Sequence, residues 1–406
     1  MTDCNITSAR FNAALNGIKL NTMDSQKHLF SLDPDIHYLN CGYKGPLMKS
    51  AEKAAVQALI RERNPTNISP QDFFTEAREV KSSFAELVNC DPFQVALIPS
   101  SSYGFATALG NISCEPGQHA IVLEDEFPSG YFSLKTWCYR NQALLKVVGP
   151  DADAPTPGES WNKNLLDSIT PETAVVLMSS VHWMNGLKFD LESIGQKCKT
   201  VGAIFIVDGT QSTGAAEMDV KRFKIDALIC ASYKWLFGPY GMGISYFGHA
   251  FDGGKPLEES WLNRTNSQDF GNLTKYDHEY TEDSGRYNVG EMSNFILLPM
   301  LNASLKQINE WTVAEIEKYC NELTAPLYDY LKSRNVVLED EQYTSHHLFG
   351  LKLPEDIDPE LLKNNLQENR ISVSTRGGNL RISVNVFNTP EDLKKLIQVL
   401  EMSRLS

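Results

Sequence analysis

The chain has 406 residues, 42% hydrophobic and 22% charged, as in an ordinary folded protein with room for two or three domains. Its formal net charge of −14 at pH 7 argues against nucleic acid or an anionic membrane surface as a partner. The eight cysteines form no Cys-x-x-Cys pair, which removes the common zinc spacing, so no metal site is predicted.

The expected compartment follows from the cysteines and the apolar segments. Scattered cysteines in a chain of this length are typical of reduced thiols in the cytoplasm. The first residues lack the basic and then apolar order of a signal peptide, and no apolar run reaches the length of a membrane span. We therefore expect a soluble, cytoplasmic protein that does not enter a membrane.

The N-terminal part is predicted to contain a tight turn followed by two helices. Glycines and a proline in the segment from Tyr38 to Pro46 indicate a close backbone turn, although a plain loop before a helix is the alternative. Helices are predicted at 48–63 and at 71–87, where apolar residues recur every three or four positions.

A serine cluster separates the next predicted strand, at 91–98, from a helix that we expect to include 105–109. The loop contains Ser101, Ser102 and Tyr103. Free amides and hydroxyls at a helix N-terminus form a natural cradle for phosphate. The same serines fit a helix cap with nothing bound equally well.

From about residue 93 to 247, predicted strands alternate with helices, which is the pattern of a doubly wound, mainly parallel sheet. Apolar runs predict strands at 120–123, 143–148, 173–178, 203–207 and 227–230. No Gly-x-Gly-x-x-Gly motif follows any of them, so a dinucleotide site loses its best support. Further strands are predicted at 336–338, 347–353 and 371–374, around a helix at 359–368.

Two of these strands lead to charged residues, Asp208 and Lys234. Ligands of open α/β sheets bind at the carboxyl ends of strands, so we expect this pair to meet in one crevice. A buried lysine amine that loses its proton forms Schiff bases, and a carboxylate can keep a pyridine nitrogen protonated. With Gln211 nearby to reach a ring hydroxyl, the pair predicts a pyridoxal 5'-phosphate site. The alternative to a cofactor site is that Asp208 is a turn residue at the end of a strand and Lys234 is a solvated loop lysine.

Three motifs carry a resemblance to a known family: Val207-Asp208-Gly-Thr-Gln211, Ser232-Tyr233-Lys234 and Gly238-Pro-Tyr-Gly-Met-Gly243. Together they resemble the fold-type I pyridoxal phosphate enzymes, and most closely the class V aminotransferase family with its cysteine desulfurases, kynureninases and isopenicillin N epimerases. The resemblance implies a large doubly wound, mainly parallel, seven-stranded sheet domain and a smaller α+β C-terminal domain. The implied divisions are an N-terminal segment at 1–45, which packs on the small domain and the active site, a cofactor domain at 46–290 and a small domain at 291–406.

The resemblance also implies a homodimer with active sites at the subunit interface, and it implies roles for particular residues. Lys234 would hold the cofactor and move protons, and Asp208 would face the ring nitrogen. The other cofactor contacts implied are Ser101, Ser102, Tyr103, Phe127, Trp183, Gln211, Tyr233, Trp261 and Gly290. Phe127 would stack on the pyridine ring, where desulfurases have a histidine. Asn185 is an alternative to Trp183, and His182 fits either an acid–base group or a structural histidine.

Substrate contacts are expected from Arg381, Asn40 and Gly42, with Arg376 as a secondary candidate. Arg381 lies inside an apolar strand, and a buried guanidinium needs an anionic partner. The resemblance implies that this partner is the carboxylate of a substrate, which forked donors match well. A structural salt bridge is the alternative.

The reaction expected is amino transfer on a small amino acid through a Lys234 aldimine. The segment 372–380 contains no cysteine, which argues against a typical cysteine desulfurase. A lyase, kynureninase-like or acting on a C–S bond, and an amino-acid epimerase are the enzyme alternatives. A domain that senses pyridoxal phosphate without catalysis is the non-enzyme alternative.

Overall fold

The computed structural model describes residues 23–376 and 378–405, so the expectations for residues 1–22 lie outside this part of the chain. A two-residue strand, β1 (His37–Tyr38), is followed by α1 (Lys49–Glu62) and α2 (Asp72–Val88). Both helices begin and end within one residue of the predicted positions. Their apolar spacing is the reason, because one face of α2 is buried through Phe74, Val80 and Phe84.

A seven-stranded sheet forms the centre of the molecule. Its strands and helices follow one another as β2 (Val95–Ile98), α3 (Ser101–Gly110), β3 (His119–Leu123), α4 (Pro128–Asn141), β4 (Leu144–Val148), α5 (Gly158–Ser168), β5 (Thr173–Ser179), α6 (Leu191–Val201), β6 (Ile204–Asp208), β7 (Ala227–Ala231) and β8 (Gly243–Phe247). The spatial order is β2-β8-β7-β6-β5-β3-β4, and β8 alone among these strands runs antiparallel to its neighbours. The predicted doubly wound, mainly parallel sheet is therefore confirmed.

The central strands are buried along their whole length, which explains why they appear in the sequence as continuous apolar runs. The strand predicted from residue 91 begins only at Val95, because Asp91 caps a short 3₁₀ turn at Pro92–Gln94. In the sheet, Ser179 pairs with Asp208, and Asp208 pairs with Ile229. The carboxyl ends of β5, β6 and β7 thus meet at one edge.

The C-terminal part is a smaller α+β unit. It comprises α7 (Leu297–Trp311), α8 (Val313–Ser333), β9 (Leu348–Leu351), α9 (Pro359–Glu368), β10 (Ile371–Ser372), β11 (Ser374–Arg376), β12 (Asn379–Ser383) and α10 (Pro390–Met402). β12 lies between β11 and β9 in an antiparallel sheet, while β10 pairs in parallel with β1. The strand predicted at 336–338 is wrong, because that segment is irregular and pairs with no described strand.

The N-terminal segment pairs with β10 and also contacts β12 of the small antiparallel sheet. His37 pairs with Ile371, and Asn40 forms a parallel bridge to Ser383 at the end of β12. Residues 252–290 contain 3₁₀ turns and single bridges rather than a helix or a strand. Among the described residues, no helix combines the length and the apolar character that crossing a bilayer requires.

Candidate active site

A small cavity lies at the carboxyl ends of β5, β6 and β7. Its lining consists of Ser101, Phe127, Ser179, Trp183, Asp208, Thr210, Gln211, Ala231, Tyr233 and Lys234. Apart from Ser179, Thr210 and Ala231, every one of these residues is predicted from the sequence. The structure therefore brings the two strand ends, the serine loop and three aromatic side chains to one place.

Lys234 projects into this cavity and is only 7% exposed. Its Nζ lies 5.7 Å from the ring centre of Phe127 and 5.8 Å from that of Tyr233. Burial lowers the pKa of the amine to about 8, although the charge of Asp208 opposes the shift and that of Arg381 adds to it. With this pKa, roughly a tenth of the amine is neutral at pH 7.

Asp208 is the last residue of β6 and is buried opposite this amine. Its Oδ1 accepts a hydrogen bond from the amide of Thr210 at 2.9 Å. Burial raises the pKa of the carboxyl, while the hydrogen bonds from Thr210 and the charge of Lys234 lower it. A cation or a protonated ring nitrogen placed beside Asp208 would favour the ionised form further.

The serine loop contributes one of its three candidates to the cavity. Ser100 caps α3 by accepting from the amide of Tyr103 at 3.3 Å, so the helix begins at Ser101 and not near residue 105. Ser101 lines the cavity, with its Oγ 3.3 Å from the hydroxyl of Thr210. Ser102 instead bonds Ser100 at 2.9 Å, and Tyr103 packs on the apolar cluster beneath the sheet. Successive helix residues point about 100° apart, which separates the three side chains.

Phe127 and Trp183 form the aromatic wall. Their ring centres lie 5.5 Å apart at an interplanar angle of 85°, an edge-to-face contact. The indole Nε1 of Trp183 donates to the carbonyl of Asp125 at 2.7 Å. Tyr233 lines the same cavity and contacts Tyr240, with ring centres 4.8 Å apart.

Gln211 lines the cavity, but both ends of its amide already have partners. Its Nε2 donates to the carbonyl of Gly42 at 3.2 Å, and its Oε1 accepts from the indole of Trp235 at 3.0 Å. The backbone carbonyl of Gln211 accepts from Nε2 of His347 at 2.7 Å. A contact of Gln211 with a cofactor hydroxyl therefore stays a prediction.

Arg381 lies on β12 and is 2% exposed. Its Nε donates to the hydroxyl of Ser374 at 3.2 Å, and its Nη1 donates to the carbonyl of Trp183 at 2.9 Å. Burial, with the nearby charge of Arg376, lowers the pKa of this guanidinium to about 10. No carboxylate of residues 23–376 or 378–405 forms an ion pair with Arg381, so the salt-bridge alternative has no partner in this part of the chain.

Asn40 and Gly42 lie beside the end of the Arg381 strand. The amide of Gly42 donates to the hydroxyl of Ser383 at 2.9 Å. The Oδ1 atom of Asn40 is buried and has no hydrogen-bond partner within the described residues. A buried acceptor without a donor is costly, so it is a natural contact for a bound molecule.

Two more of the predicted cofactor contacts lie outside the cavity lining. Trp261 is 39% exposed and packs against Phe73 and Phe270 around a separate cleft. The amide of Gly290 donates to the carboxylate of Glu258 at 2.7 Å. The resemblance places this region at the site of the partner subunit, so both contacts stay predictions.

His182 lies outside the cavity lining as well. Its Nδ1 donates to Oδ1 of Asn185 at 3.1 Å, and its ring contacts Trp161 at 5.0 Å between ring centres. Burial lowers the pKa of this histidine. These contacts favour a structural role for His182 and leave Trp183, rather than Asn185, at the cavity.

Sequence reasoning missed three polar residues of the site. Thr210 lies inside the motif that starts at Asp208, and its position there is the signal that could have identified it. Ser179 and Glu126 gave no such signal, because one ends an apolar strand and the other belongs to an acidic run that resembles a solvated surface.

The chemistry of the cavity fits pyridoxal phosphate. The site offers an amine of lowered pKa, a buried carboxylate, an aromatic wall and a hydroxyl at a helix N-terminus for the phosphate. Near the cavity, Oδ1 of Asn40 has no hydrogen-bond partner and the Arg381 guanidinium has no anionic partner among the described residues.

Known proteins show the same fold and family. The chain is 23% identical over 318 residues to the uncharacterized aminotransferase YcbU of Bacillus subtilis, which covers 78% of this chain and 81% of that protein. It is 21% identical over 398 residues to the isopenicillin N epimerase of Streptomyces clavuligerus, which covers 91% of this chain and 95% of that protein. Its structure matches that of a C-DES mutant with glycine covalently linked to the PLP cofactor, with a TM-score of 0.80 and 19% identity over 93% of this chain and 99% of the other.

The fold expected from the sequence, that of the fold-type I pyridoxal phosphate enzymes, is thus confirmed. A family model described as aminotransferase class-V matches residues 69–396. The chain therefore belongs to the class V aminotransferase family of pyridoxal phosphate-dependent enzymes.

Proposed function

We propose that this enzyme transfers the amino group of a small amino acid, with Lys234 as the group that moves the proton. The observation that carries the proposal is the burial of the Lys234 amine, at a pKa of about 8, in one cavity with Asp208 and Phe127. Pyridoxal phosphate, when bound, withdraws electrons from the α-carbon of the amino acid, and the protein decides which bond breaks.

Each residue of the site has one proposed task. The Nζ of Lys234 holds the cofactor and accepts or gives a proton. Asp208 holds a proton on the ring nitrogen, and the ring of Phe127 covers one face. Ser101, assisted by the capped N-terminus of α3, binds the phosphate, with Ser102, Tyr103 and Tyr233 as further proposed contacts.

Arg381 is proposed to bind the substrate carboxylate, because its guanidinium is buried without an anionic partner among the described residues. Asn40 and Gly42 would lie beside the bound amino acid. Arg376 adds positive charge nearby, as its effect on the pKa values of Lys234 and Arg381 indicates. Together they favour an anionic substrate group on this side of the cavity.

Amino transfer is favoured over desulfuration and epimerisation by the groups that line the cavity. No cysteine lines it. The Cys41 thiol lies 3.9 Å from the carbonyl oxygen of Lys234, and burial raises its pKa well above the usual value, which makes it a poor nucleophile. Inversion of a stereocentre needs a base on one face of the α-carbon and an acid on the other. The Phe127 ring has no ionisable proton, and burial raises the pKa of Tyr233 and makes it a weaker acid, so Lys234 is left as the main acid–base group.

A C–S or kynureninase-like lyase remains the second proposal, since it needs the same lysine and no cysteine. A single experiment separates the reactions. The purified enzyme is mixed with individual amino acids without an acceptor, and the products are quantified. Transfer yields one equivalent of 2-oxo acid per site and then stops, whereas a lyase keeps releasing a side-chain fragment. Inversion yields the other stereoisomer, and a sensing domain yields no product. Lys234→Ala is the control, and activity that survives it unchanged would refute the assignment.

We further propose a homodimer, a cofactor domain at 46–290 with a small domain at 291–406, and a cytoplasmic location. Val56, Leu59 and Ile60 on α1 are each 50% exposed and share one helix face, which fits burial against a second copy of this chain. Sedimentation of wild type and Leu59→Lys tests this, since the charged variant should dissociate. The seven cysteines in the described part are free thiols, as a reducing compartment would keep them.

A further inference from the structure

The turn between β3 and α4 carries Phe127 and accepts a hydrogen bond from Trp183, so it contacts both rings of the aromatic wall. Asp125 adopts a φ of +50°, a left-handed conformation that residues other than glycine rarely use. Its carbonyl accepts the hydrogen bond from the indole of Trp183, and Phe127 follows two residues later. The positions of both rings therefore depend on one strained turn.

Glu126, between these residues, connects the turn to the sheet. Its side chain is 6% exposed. Oε1 accepts from the amide of Phe127 at 2.7 Å and from the hydroxyl of Ser179, while Oε2 accepts from the amide of Ser179 at 2.7 Å. Ser179 ends β5 and pairs with Asp208 on β6.

The carboxylate of Glu126 has no cationic partner within residues 23–376 and 378–405. Burial raises its pKa to about 7, against the lowering effect of its bond with Ser179, and the charge of Asp208 raises it further. A buried carboxylate is costly unless its donors compensate. Among the described residues, its donors belong to the two segments that meet at the cavity, which points to a geometric role.

We propose that Glu126 is a positioning residue: it fastens the strained turn to the end of β5 and so holds Phe127 and Trp183 at a fixed distance from Asp208. The inference rests on the proposed function in one respect, namely that Phe127 stacks on the cofactor ring. Glu126 acts through Phe127 and Ser179.

Three variants test the hydrogen bonds of Glu126 separately. Glu126→Ala removes all three hydrogen bonds. Glu126→Gln keeps the shape but replaces one oxygen by an NH₂ group, which cannot accept, so one of the two backbone amides loses its partner. Ser179→Ala removes only the hydroxyl bond. Glu124→Gln is the matched control, because Glu124 lies in the same acidic run but is exposed.

The first readout uses the apoprotein and needs no substrate. Hydrogen exchange at the amides of Phe127 and Ser179 should be at least about tenfold faster in Glu126→Ala, as expected for lost bonds to a charged acceptor, and faster at only one of them in Glu126→Gln. The near-ultraviolet circular dichroism of the aromatic pair should decrease in the same order. Glu124→Gln should match wild type in both measurements.

The second readout adds pyridoxal phosphate itself. Glu126→Ala should still attach it to Lys234, but with a dissociation constant raised about tenfold and a weaker visible circular dichroism signal, because a loosened ring wall stacks less well. Unchanged exchange at both amides would overturn the proposal. Faster exchange with wild-type dichroism and affinity would also overturn it, since the turn would then be held without positioning the rings.

The proposal stays testable if one variant does not fold or if the wild-type protein does not attach the cofactor. If Glu126→Ala does not fold, Glu126→Gln and Ser179→Ala decide the question by the same exchange and dichroism measurements. If the wild-type protein fails to attach pyridoxal phosphate at Lys234, the proposed function fails. Amide exchange and near-ultraviolet dichroism of the apoprotein still decide whether Glu126 holds the turn and the two rings.

Discussion

Gly45 lies directly against the backbone of Lys234: a Cβ atom at Gly45 would be 2.1 Å from the carbonyl oxygen of that lysine. The amide of Gly45 also donates to the carbonyl of Tyr233 at 2.9 Å. The N-terminal turn therefore packs on the lysine from one side, at a distance that only glycine permits.

Gly45→Ala should displace this turn or the Lys234 backbone, because neither carbonyl nor Cβ can yield at such a distance. We expect weaker binding of pyridoxal phosphate and a free energy of unfolding reduced by about 1–3 kcal/mol, as for an overpacked site. Gly110→Ala is the control, since its Cβ would meet nothing within 4 Å. Equal thermal midpoints and cofactor affinities for both variants would show that the contact at Gly45 is unimportant.

The rate at which the apoprotein attaches pyridoxal phosphate should follow the titration of Lys234. The folded pKa of about 8 lies below the ordinary 10.5, so the reactive neutral amine accumulates up to about pH 8 and changes little above it. We expect the rate to rise about tenfold per pH unit below pH 8 and then to level off. Free lysine, measured in parallel, should keep rising toward pH 10.5. A protein profile that follows free lysine would mean that the crevice does not lower the pKa of the amine.

The sequence was sufficient to predict that Asp208 and Lys234 lie in one cavity, because two buried strands appear as apolar runs and the polar residues after them mark the edge of a parallel sheet. It could not show which hydroxyls of the serine loop face the cavity. Ser101 does and Ser102 does not, and that difference depends on the residue at which α3 begins.

Glu126 shows a second limit of prediction from the sequence. The run Glu124-Asp125-Glu126 has the composition of a solvated turn, and only the left-handed backbone of Asp125 turns the third carboxylate inward. The expected contacts of Trp261 and Gly290 meet a different limit. The resemblance implies that they are made to a second copy of the chain, which no local pattern describes.

Removing the charge of Arg381 distinguishes a substrate contact from a structural ion pair. Arg381→Met should lower the thermal midpoint of the apoprotein and the affinity for pyridoxal phosphate only slightly, because the guanidinium loses hydrogen bonds to Ser374 and Trp183 but no anionic partner among the described residues. Amino acids that change the spectrum of the bound cofactor in wild type should need at least about tenfold higher concentrations in the variant. Arg370→Met, at an exposed ion pair with Asp33, is the control. Loss of the fold in Arg381→Met would support a structural role instead.

His347 is predicted to make the protein sensitive to acid. Its Nε2 donates to the carbonyl of Gln211, its Nδ1 accepts from the hydroxyl of Ser345 at 3.0 Å, and its ring packs edge-on against Trp235. Burial lowers its pKa from 6.5 to about 4, although the bond to Gln211 opposes the shift.

The lowered pKa of His347 determines how the stability of the fold changes with pH. Between pH 6.5 and 4 the unfolded chain binds a proton at His347 that the folded chain does not, so stability is lost as the pH falls through this window. Each unit of pKa difference corresponds to about 1.36 kcal/mol, so the free energy of unfolding falls by about 3 kcal/mol across this window. Thermal unfolding of wild type and His347→Gln from pH 7.5 to 4.5 measures it. The variant should be less stable at pH 7.5, because it loses the packing on Trp235, but its curve should fall less steeply toward acid. Parallel curves would show that His347 is not the group that titrates.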